Sequence, residues 1–504
     1  MKLKQIALAS MVVEAGSSFA QTVTCDTTSQ LAMANTCPPE VTFFIAGASA
    51  LGDATNAVLS ANSFGGYFAT APAVIVDRGT PNGVAVNNPT NANTPGNGVT
   101  AWYGMSKPEL TGTSKRMLIV YNKYMGSAAG VSNVMAKDVK SLISVVPEAQ
   151  VVTVGPVPNI VAGKAKGVKA NDCVTTNNSS SIACTSWAWT KADVGLSDVD
   201  VTELVKLYDN KKIALKDLTR VPVAMQGFAV AVNNNFYEAL QAHQVSTGAL
   251  PSSCTPVAPA TSVYTEACQP SISSAQYASL VTKEGGIKSA AGFIPGSTTT
   301  LKLARRDDLS GTQAASQIFF GKSICNAIDP KSKVNLGGAM VATTLADNTA
   351  NLIVEHNVQS STVETDLNSA TGYSIGVITL AKGASSTYKF VKLDGVSPNF
   401  AKGGTTVLTG ASLRNNMING AWPFQVVSYV MYPTATAVTG QPKAALIAKF
   451  KADLSDGSST VNNLTAISYF NGPADKASLV HRATAKASGT TAAAYNNCAP
   501  LTFR

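Results

Sequence analysis

Short apolar runs and amphipathic stretches alternate along the chain. Residues 41–46 (VTFFIA) form a compact apolar run of the kind that makes a buried strand. The run leads into the small-residue turn Gly47-Ala48-Ser49-Ala50-Leu51 and a helical stretch over about 53–59. A second unit has the same form: a strand over 115–121, the turn Gly126-Ser127-Ala128-Ala129-Gly130, then a helix. Further on, Asp193-Val194-Gly195-Leu196-Ser197-Asp198 precedes a helix start over 201–208. The extended run 221–233 predicts a strand long enough to pass from one domain to another, with a helix over 236–243 behind it. A helix is expected over 275–282. Strands are expected over 301–304, 339–344, 372–378 and 421–431, a strand and turn over 389–396, and an amphipathic helix over 444–454. Residues 78–112 are rich in Asn, Pro, Gly and Thr and read as a long surface loop. Strands and helices alternating in this way predict an α/β fold, with parallel or mixed sheets flanked by helices. No tandem repeat is present.

Composition narrows the class. A chain of 504 residues is too long for one core, so two or three domain-sized units are expected. Charged residues make up 13%, about half the usual share, and Ser, Thr, Asn, Ala and Gly take their place. That is the surface of a secreted bacterial protein. The first residues agree: Lys2 and Lys4, an apolar stretch over 6–13, then Ser18-Phe19-Ala20 predict a signal peptide over 1–20, cleaved after Ala20. Glu14 is out of keeping with that pattern. No lipobox precedes Cys25, so no lipid anchor is expected. No later stretch gives about twenty uninterrupted apolar residues, so no membrane span is expected. The location implied is periplasmic or secreted.

Eight cysteines behind an export signal point to disulfides. Three close pairs, Cys25–Cys37, Cys173–Cys184 and Cys254–Cys268, lie in polar loops, and Cys325–Cys498 then follows by elimination. Zinc is the alternative, but there is no CxxC spacing, and the three histidines lie far apart, so no metal site is expected. The net charge of +9 attracts anions or a negative surface. Its Lys and Arg are dispersed without a basic, aromatic-interleaved patch, so nucleic acid is not an expected partner.

The densest candidate chemistry is Ala304-Arg305-Arg306-Asp307-Asp308-Leu309-Ser310-Gly311-Thr312, a strand end, a polar turn and a helix start. Ser310 and Thr312 are capping residue types, and Gly311 lets the backbone come close to a neighbour. A helix N-terminus offers unpaired N–H groups, and Arg306 adds a forked cation suited to tetrahedral oxyanions. An ordinary capped helix explains the same residues equally well. Likewise, Asp198 before a helix start reads most simply as an N-cap. No Gly-x-Ser-x-Gly elbow, metal cluster or His-based triad is present, so neither an enzyme nor a cofactor is expected.

Four stretches, in order, resemble the phosphate-binding protein of the bacterial phosphate ABC transporter, a type II periplasmic binding protein. They are Gly47-Ala48-Ser49, Gly126-Ser127-Ala128-Ala129-Gly130, Asp193 to Asp198, and Arg306 to Thr312, the last of which matches Arg-x-Asp-x-Ser-Gly-Thr. The resemblance spans roughly residues 41–470. It implies two lobes, residues 41–224 with 380–504 and residues 225–379, closing over one oxyanion. It also implies the ligand set: the backbone at Ser49 and Ala50, the Ser127 hydroxyl and N–H, the Asp198 carboxylate, and Arg306, Ser310, Gly311 and Thr312. Asp308 would orient Arg306. Phosphate would be the ligand and a permease the partner.

Ala128 stands where that family has glycine, and Ala50 where it usually has an aromatic residue. The loop near 78–112 and the cysteine loops look like insertions. An extracellular surface or matrix protein that reuses this fold is the alternative, because fold does not fix function.

Overall fold

In the computed structural model, the described residues are 39–60, 66–77, 96–123, 126–135, 157–159, 173–175, 181–184, 188–190, 192–201, 203–204, 217–256, 263–283, 285–308, 310–321, 345–357, 360–369, 371–437, 443–455, 467–469, 480–482, 484–485, 494–495 and 501–503. The signal peptide, Cys25, Cys37, Cys325, Cys498 and the expected strand over 339–344 lie outside them.

The apolar runs form the strands β1 (Val41–Gly47), β2 (Ala73–Asp77), β3 (Gly96–Met105), β4 (Arg116–Asn122), β5 (Val157–Asn159), β6 (Cys173–Thr175), β7 (Ser181–Cys184), β8 (Ala188–Thr190) and β9 (Val194–Ser197). They continue as β10 (Leu218–Asn233), β11 (Ser271–Ile272), β12 (Leu301–Arg306), β13 (Leu352–Asn357), β14 (Tyr373–Thr379), β15 (Tyr388–Phe390), β16 (Lys392–Leu393), β17 (Gln425–Pro433) and β18 (Ile467–Tyr469). Among the described residues one mixed sheet runs β13-β12-β14-β10-β17-β9-β1-β4-β3-β2-β7-β6, with β15 and β18 also paired to β10. The expected α/β class, a mixed sheet with helices, is what the chain adopts.

Two parallel groups sit within this sheet. In one, β1 lies between β4 and β9; in the other, β12 lies between β13 and β14. Antiparallel strands join them. β10 pairs with β17 from Leu218 to Gly227, then with β14 from Phe228 to Val232. A single extended strand thus runs from β17, which borders β9 of the first group, to β14 of the second. Alternation along β1 explains why helices cover both faces. Phe43 and Ile45 enter one apolar cluster with Leu446, Ile447 and Phe450 of the Ala444–Ser455 helix. Phe44 and Ala46 enter another with Val131 and Val134 of the Gly126–Met135 helix. Strands buried on both faces read as near-continuous apolar runs, as this one does.

Three glycines bring the ends of the first parallel group together. Gly47 ends β1 with φ of 115°. A Cβ there would fall 2.1 Å from the Leu196 carbonyl oxygen, and one at Gly130 would fall 2.4 Å from the same atom. A Cβ at Gly195 would fall 2.4 Å from the Gly130 carbonyl oxygen. The turn after β1, the helix after β4 and strand β9 therefore touch backbone to backbone.

Several expectations change. Within 78–112, residues 96–105 are not loop but β3, paired to β2 and β4 with Trp102 and Tyr103 buried. Their Asn/Gly-rich flank hid an aromatic run that the sheet completes. The strand β13 and the Ser360–Leu367 helix were not anticipated. Residues 388–400, expected with the first lobe, bond to the second group instead: β15 pairs with the β14 end of β10, β16 pairs with β11, and Gln269 Nε2 donates to Asn399 Oδ1 at 3.1 Å.

Cys254–Cys268 is a disulfide. Cys173 and Cys184 are direct antiparallel partners in register. Among the described residues no helix is long and apolar enough to cross a membrane.

Gly130→Ala is expected to destabilise the protein by about 1–3 kcal/mol, because backbone must move to admit the methyl group. Gly286→Ala, at a position with nothing within 4 Å of a new Cβ, should change stability by less than about 0.5 kcal/mol. Urea unfolding of the two variants checks this, and equal midpoints would mean that the glycine contact is not tight.

Candidate functional site

The carboxyl ends of the two parallel groups carry the candidate residues, which is where open α/β sheets place ligands. Ser49 and Ala50 lie in a 3₁₀ turn, Ser49–Leu51, directly after β1. The Ala48 N–H fixes that turn by donating to the Leu196 carbonyl at 3.1 Å. Ser127 occupies the first turn of the Gly126–Met135 helix and is fully buried. Asp198 follows β9 and is 1% exposed. Arg306 ends β12 and is 2% exposed, and Ser310, Gly311 and Thr312 follow it at the start of the Gly311–Ser316 helix.

Asp198 is not the cap of the helix behind it. The residue flanking that helix is Asp200, whose N–H donates to Glu203 Oε2 at 3.0 Å. Arg220 binds the Asp200 carboxylate at 2.6 Å. Asp193, at the other end of the segment, bonds to Lys443 at 2.8 Å and accepts the Phe44 N–H at 2.8 Å. Both flanking carboxylates thus hold the β9 segment in place, while Asp198 points elsewhere.

Asp198 points at the turn from the other parallel group. Its own N–H donates to Ser127 Oγ at 2.9 Å. A Cβ at Gly311 would fall 2.0 Å from Ser127 Oγ and 2.7 Å from Asp198 Oδ2. Only glycine fits there, and the two turns are in direct contact. Ser310 holds the N-cap position by backbone conformation, yet its hydroxyl makes no capping bond. Three buried oxygens, Asp198 Oδ1, Ser310 Oγ and Thr312 Oγ1, have no hydrogen-bond partner among the described residues. Buried polar atoms are rarely left this way, because each costs about 1–3 kcal/mol.

The electrostatics follow from burial. Desolvation raises the Asp198 carboxyl from an ordinary 3.8 to about 7, against the opposing pull of the Arg306 charge and of the neighbouring Thr312 and Ser127 hydroxyls. Thr312 Oγ1 is a polar neighbour of that carboxyl that does not complete a hydrogen bond to it. Burial also pulls Arg306 down, and Asp307 and Asp198 offset this.

Arg306 is not oriented by Asp308, as the motif implied. The Asp308 carboxylate is paired with Arg305. Instead, Arg306 Nε donates to the Asn357 carbonyl at 3.0 Å and Nη1 to Ser360 Oγ at 3.1 Å. Neither residue was anticipated. The signal for Ser360 was present: a serine ahead of the i, i+4 pair Val363 and Leu367 is a helix-start pattern.

Among the described residues no group of His, Cys, Asp and Glu is placed to hold a metal ion. No family model matches the chain, and no curated protein sequence matches it. Among solved structures it is similar to a putative phosphate ABC transporter substrate-binding protein with bound phosphate from Clostridium perfringens, at 12% identity over 83% of this chain and 94% of that one, with a TM-score of 0.37. It is also similar to an ABC-type phosphate transport receptor from Vibrio cholerae, at 13% identity over 52% and 74% of the two chains, with a TM-score of 0.29. A third likeness is to PstS from Borrelia burgdorferi, at 12% identity over 53% and 74%, with a TM-score of 0.23. At these scores the likenesses carry no argument about the site, which stands on its own residues.

A folded-state pKa near 7 means that Asp198 keeps its proton where the unfolded chain has released it. Its contribution is therefore complete below about pH 4 and is lost as pH rises through about 7. The ligand-free protein should lose stability across that window, by at most roughly 4 kcal/mol from this group. Thermal melts from pH 4 to 8 on the protein and on Asp198→Asn read the effect. An unchanged slope in the variant would show that the carboxyl titrates normally.

Proposed function

We propose that the chain is an extracytoplasmic solute-binding protein whose two α/β lobes close over a protonated tetrahedral oxyanion, phosphate first among them. One observation carries this: a buried carboxyl, Asp198, whose Oδ1 has no partner among the described residues, shares its site with the buried Arg306 guanidinium and with two hydroxyls, Ser310 and Thr312, likewise without partners there, across the Gly311 contact. One lobe is built on β9-β1-β4 and the other on β13-β12-β14, and the chain returns to the first lobe after residue 400. This is the arrangement of the type II periplasmic binding proteins.

The chemistry selects the anion. Phosphate near neutral pH carries at least one O–H. Asp198 accepts that proton in a hydrogen bond, which relieves a carboxylate whose charged form is costly where it sits. Where Asp198 is ionised, above about pH 7, sulfate brings no proton, meets a repelling carboxylate and leaves the acceptor unpaired. Arg306 supplies the opposing charge, in a forked geometry suited to two oxygens. Ser127, whose Oγ already accepts the Asp198 N–H, has its own proton left to donate. Ser310 and Thr312 add two hydroxyls, and the backbone of Ser49, Ala50 and Gly311 adds N–H groups. The set binds and orients, and we read the protein as a carrier rather than an enzyme. Delivery to an ABC transporter permease is the role this site would serve.

Calorimetry with phosphate, arsenate and sulfate is the test. Phosphate and arsenate should bind, with phosphate preferred over sulfate roughly thousandfold. Asp198→Asn should narrow that ratio by admitting sulfate, and Arg306→Ala should abolish tight binding. The reading is lost if phosphate produces neither heat nor a thermal shift in the unmodified protein.

A separate arm concerns fit. Gly311→Ala should weaken phosphate binding about tenfold or more, because the new methyl group falls on Ser127 Oγ and Asp198 Oδ2. Unaltered affinity in that variant would show that the two turns do not meet in the bound state.

A further inference from the structure

We infer that Ser360 is a positioning residue for the candidate anion site: together with Asn357 at the end of β13, it sets the plane of the Arg306 guanidinium from the helix that follows that strand. The inference rests on the reading of Arg306 as an anion ligand. The motif Arg306-Asp307-Asp308 offers a carboxylate two residues on from the arginine, but that carboxylate is engaged by Arg305. Arg305 Nε in turn donates to the Arg306 carbonyl at 2.9 Å, which fixes the backbone and leaves the Arg306 side chain to be held from elsewhere.

The hold comes from β13 and the helix behind it. β12 and β13 are parallel and in register, with Arg306 opposite Asn357. The Asn357 carbonyl accepts both the Asp307 N–H at 3.0 Å and Arg306 Nε at 3.0 Å. Ser360, buried at the start of the eight-residue Ser360–Leu367 helix, accepts Arg306 Nη1 at 3.1 Å. Two contacts on different nitrogens of one planar group define its plane, which a single contact cannot do. The frame is itself braced. Asn357 Nδ2 donates to Asp366 Oδ2 at 2.8 Å, and Asp366 Oδ1 pairs with Lys302 of β12 at 3.3 Å. The Asn357 carbonyl and Ser360 Oγ are both neutral acceptors, so these two contacts orient the guanidinium without cancelling its charge. Ser360 also keeps its hydroxyl proton, because it uses only an oxygen lone pair on Arg306.

The test compares Ser360→Ala, Ser360→Thr and the neighbouring control Ser361→Ala. Phosphate calorimetry on the full protein should show roughly a tenfold loss for Ser360→Ala, the scale of one hydrogen bond to a charged group. Ser360→Thr, which keeps the hydroxyl, should restore most of it, and Ser361→Ala should bind as the unmodified protein does. Nitrogen-15 spectra of arginine-labelled, ligand-free protein give a second readout that needs no anion. The Arg306 Nη signals should be resolved in the parent and in Ser360→Thr, and averaged by free rotation in Ser360→Ala. Failure of the unmodified protein to bind phosphate would sink the proposed function alone, because the spectra still test the positioning. Unchanged spectra in Ser360→Ala, or equal losses in the Ala and Thr variants, would overturn the role of Ser360.

Discussion

The structure depends on keeping a carboxyl and a guanidinium dry within one site. Asp198 and Arg306 are each almost wholly buried and pushed toward the neutral form by that burial; the Arg306 charge draws Asp198 back, and Asp307 and then Asp198 draw Arg306 back. A lone buried charge costs several kcal/mol, and one partner compensates only when hydrogen bonds satisfy the remaining valences. Here they are not all satisfied among the described residues, since Asp198 Oδ1 and the Ser310 and Thr312 hydroxyls have no partner there. Such an arrangement gains most from a ligand that brings both negative charge and a proton, and a tetrahedral, protonated oxyanion brings both.

The scaffold makes this meeting possible by economy of side chains. Gly47, Gly130 and Gly195 let the ends of one parallel group touch through backbone, and Gly311 lets the other group approach Ser127 and Asp198. A methyl group at any of these four positions would separate the elements. The contacts also explain the surrounding charges: Asp193 with Lys443 and Asp200 with Arg220 hold the segment on either side of Asp198. Strand β10 links the two groups, pairing with β17 beside β9 and with β14.

Much of the fold was legible because the strands that matter are buried on both faces. The runs at 41–46, 115–121, 221–233 and 372–378 are mostly apolar, and each became a strand within a residue or a few of its expected bounds. What escaped was structure made by context. β3 sits in an Asn/Gly-rich stretch whose aromatic residues gain their meaning only between β2 and β4. The segment 388–400 reads as a plain strand and turn, and nothing local says which half of the molecule it joins.

The sequence by itself determined the order of strand, small-residue turn and helix, and the residue types at each turn, because hydrophobic period and turn chemistry are local properties. It could also name the acid, the base and the hydroxyls that one site would need. Only the tertiary structure decided how they are used. Asp198 caps no helix because Asp200 flanks that helix, and Asp308 serves Arg305. Arg306 takes its orientation from Asn357 and Ser360, some fifty residues away in sequence. Hydrogen-bond partners are chosen by distance in space, and a parallel strand pairing brings together residues that the chain keeps far apart.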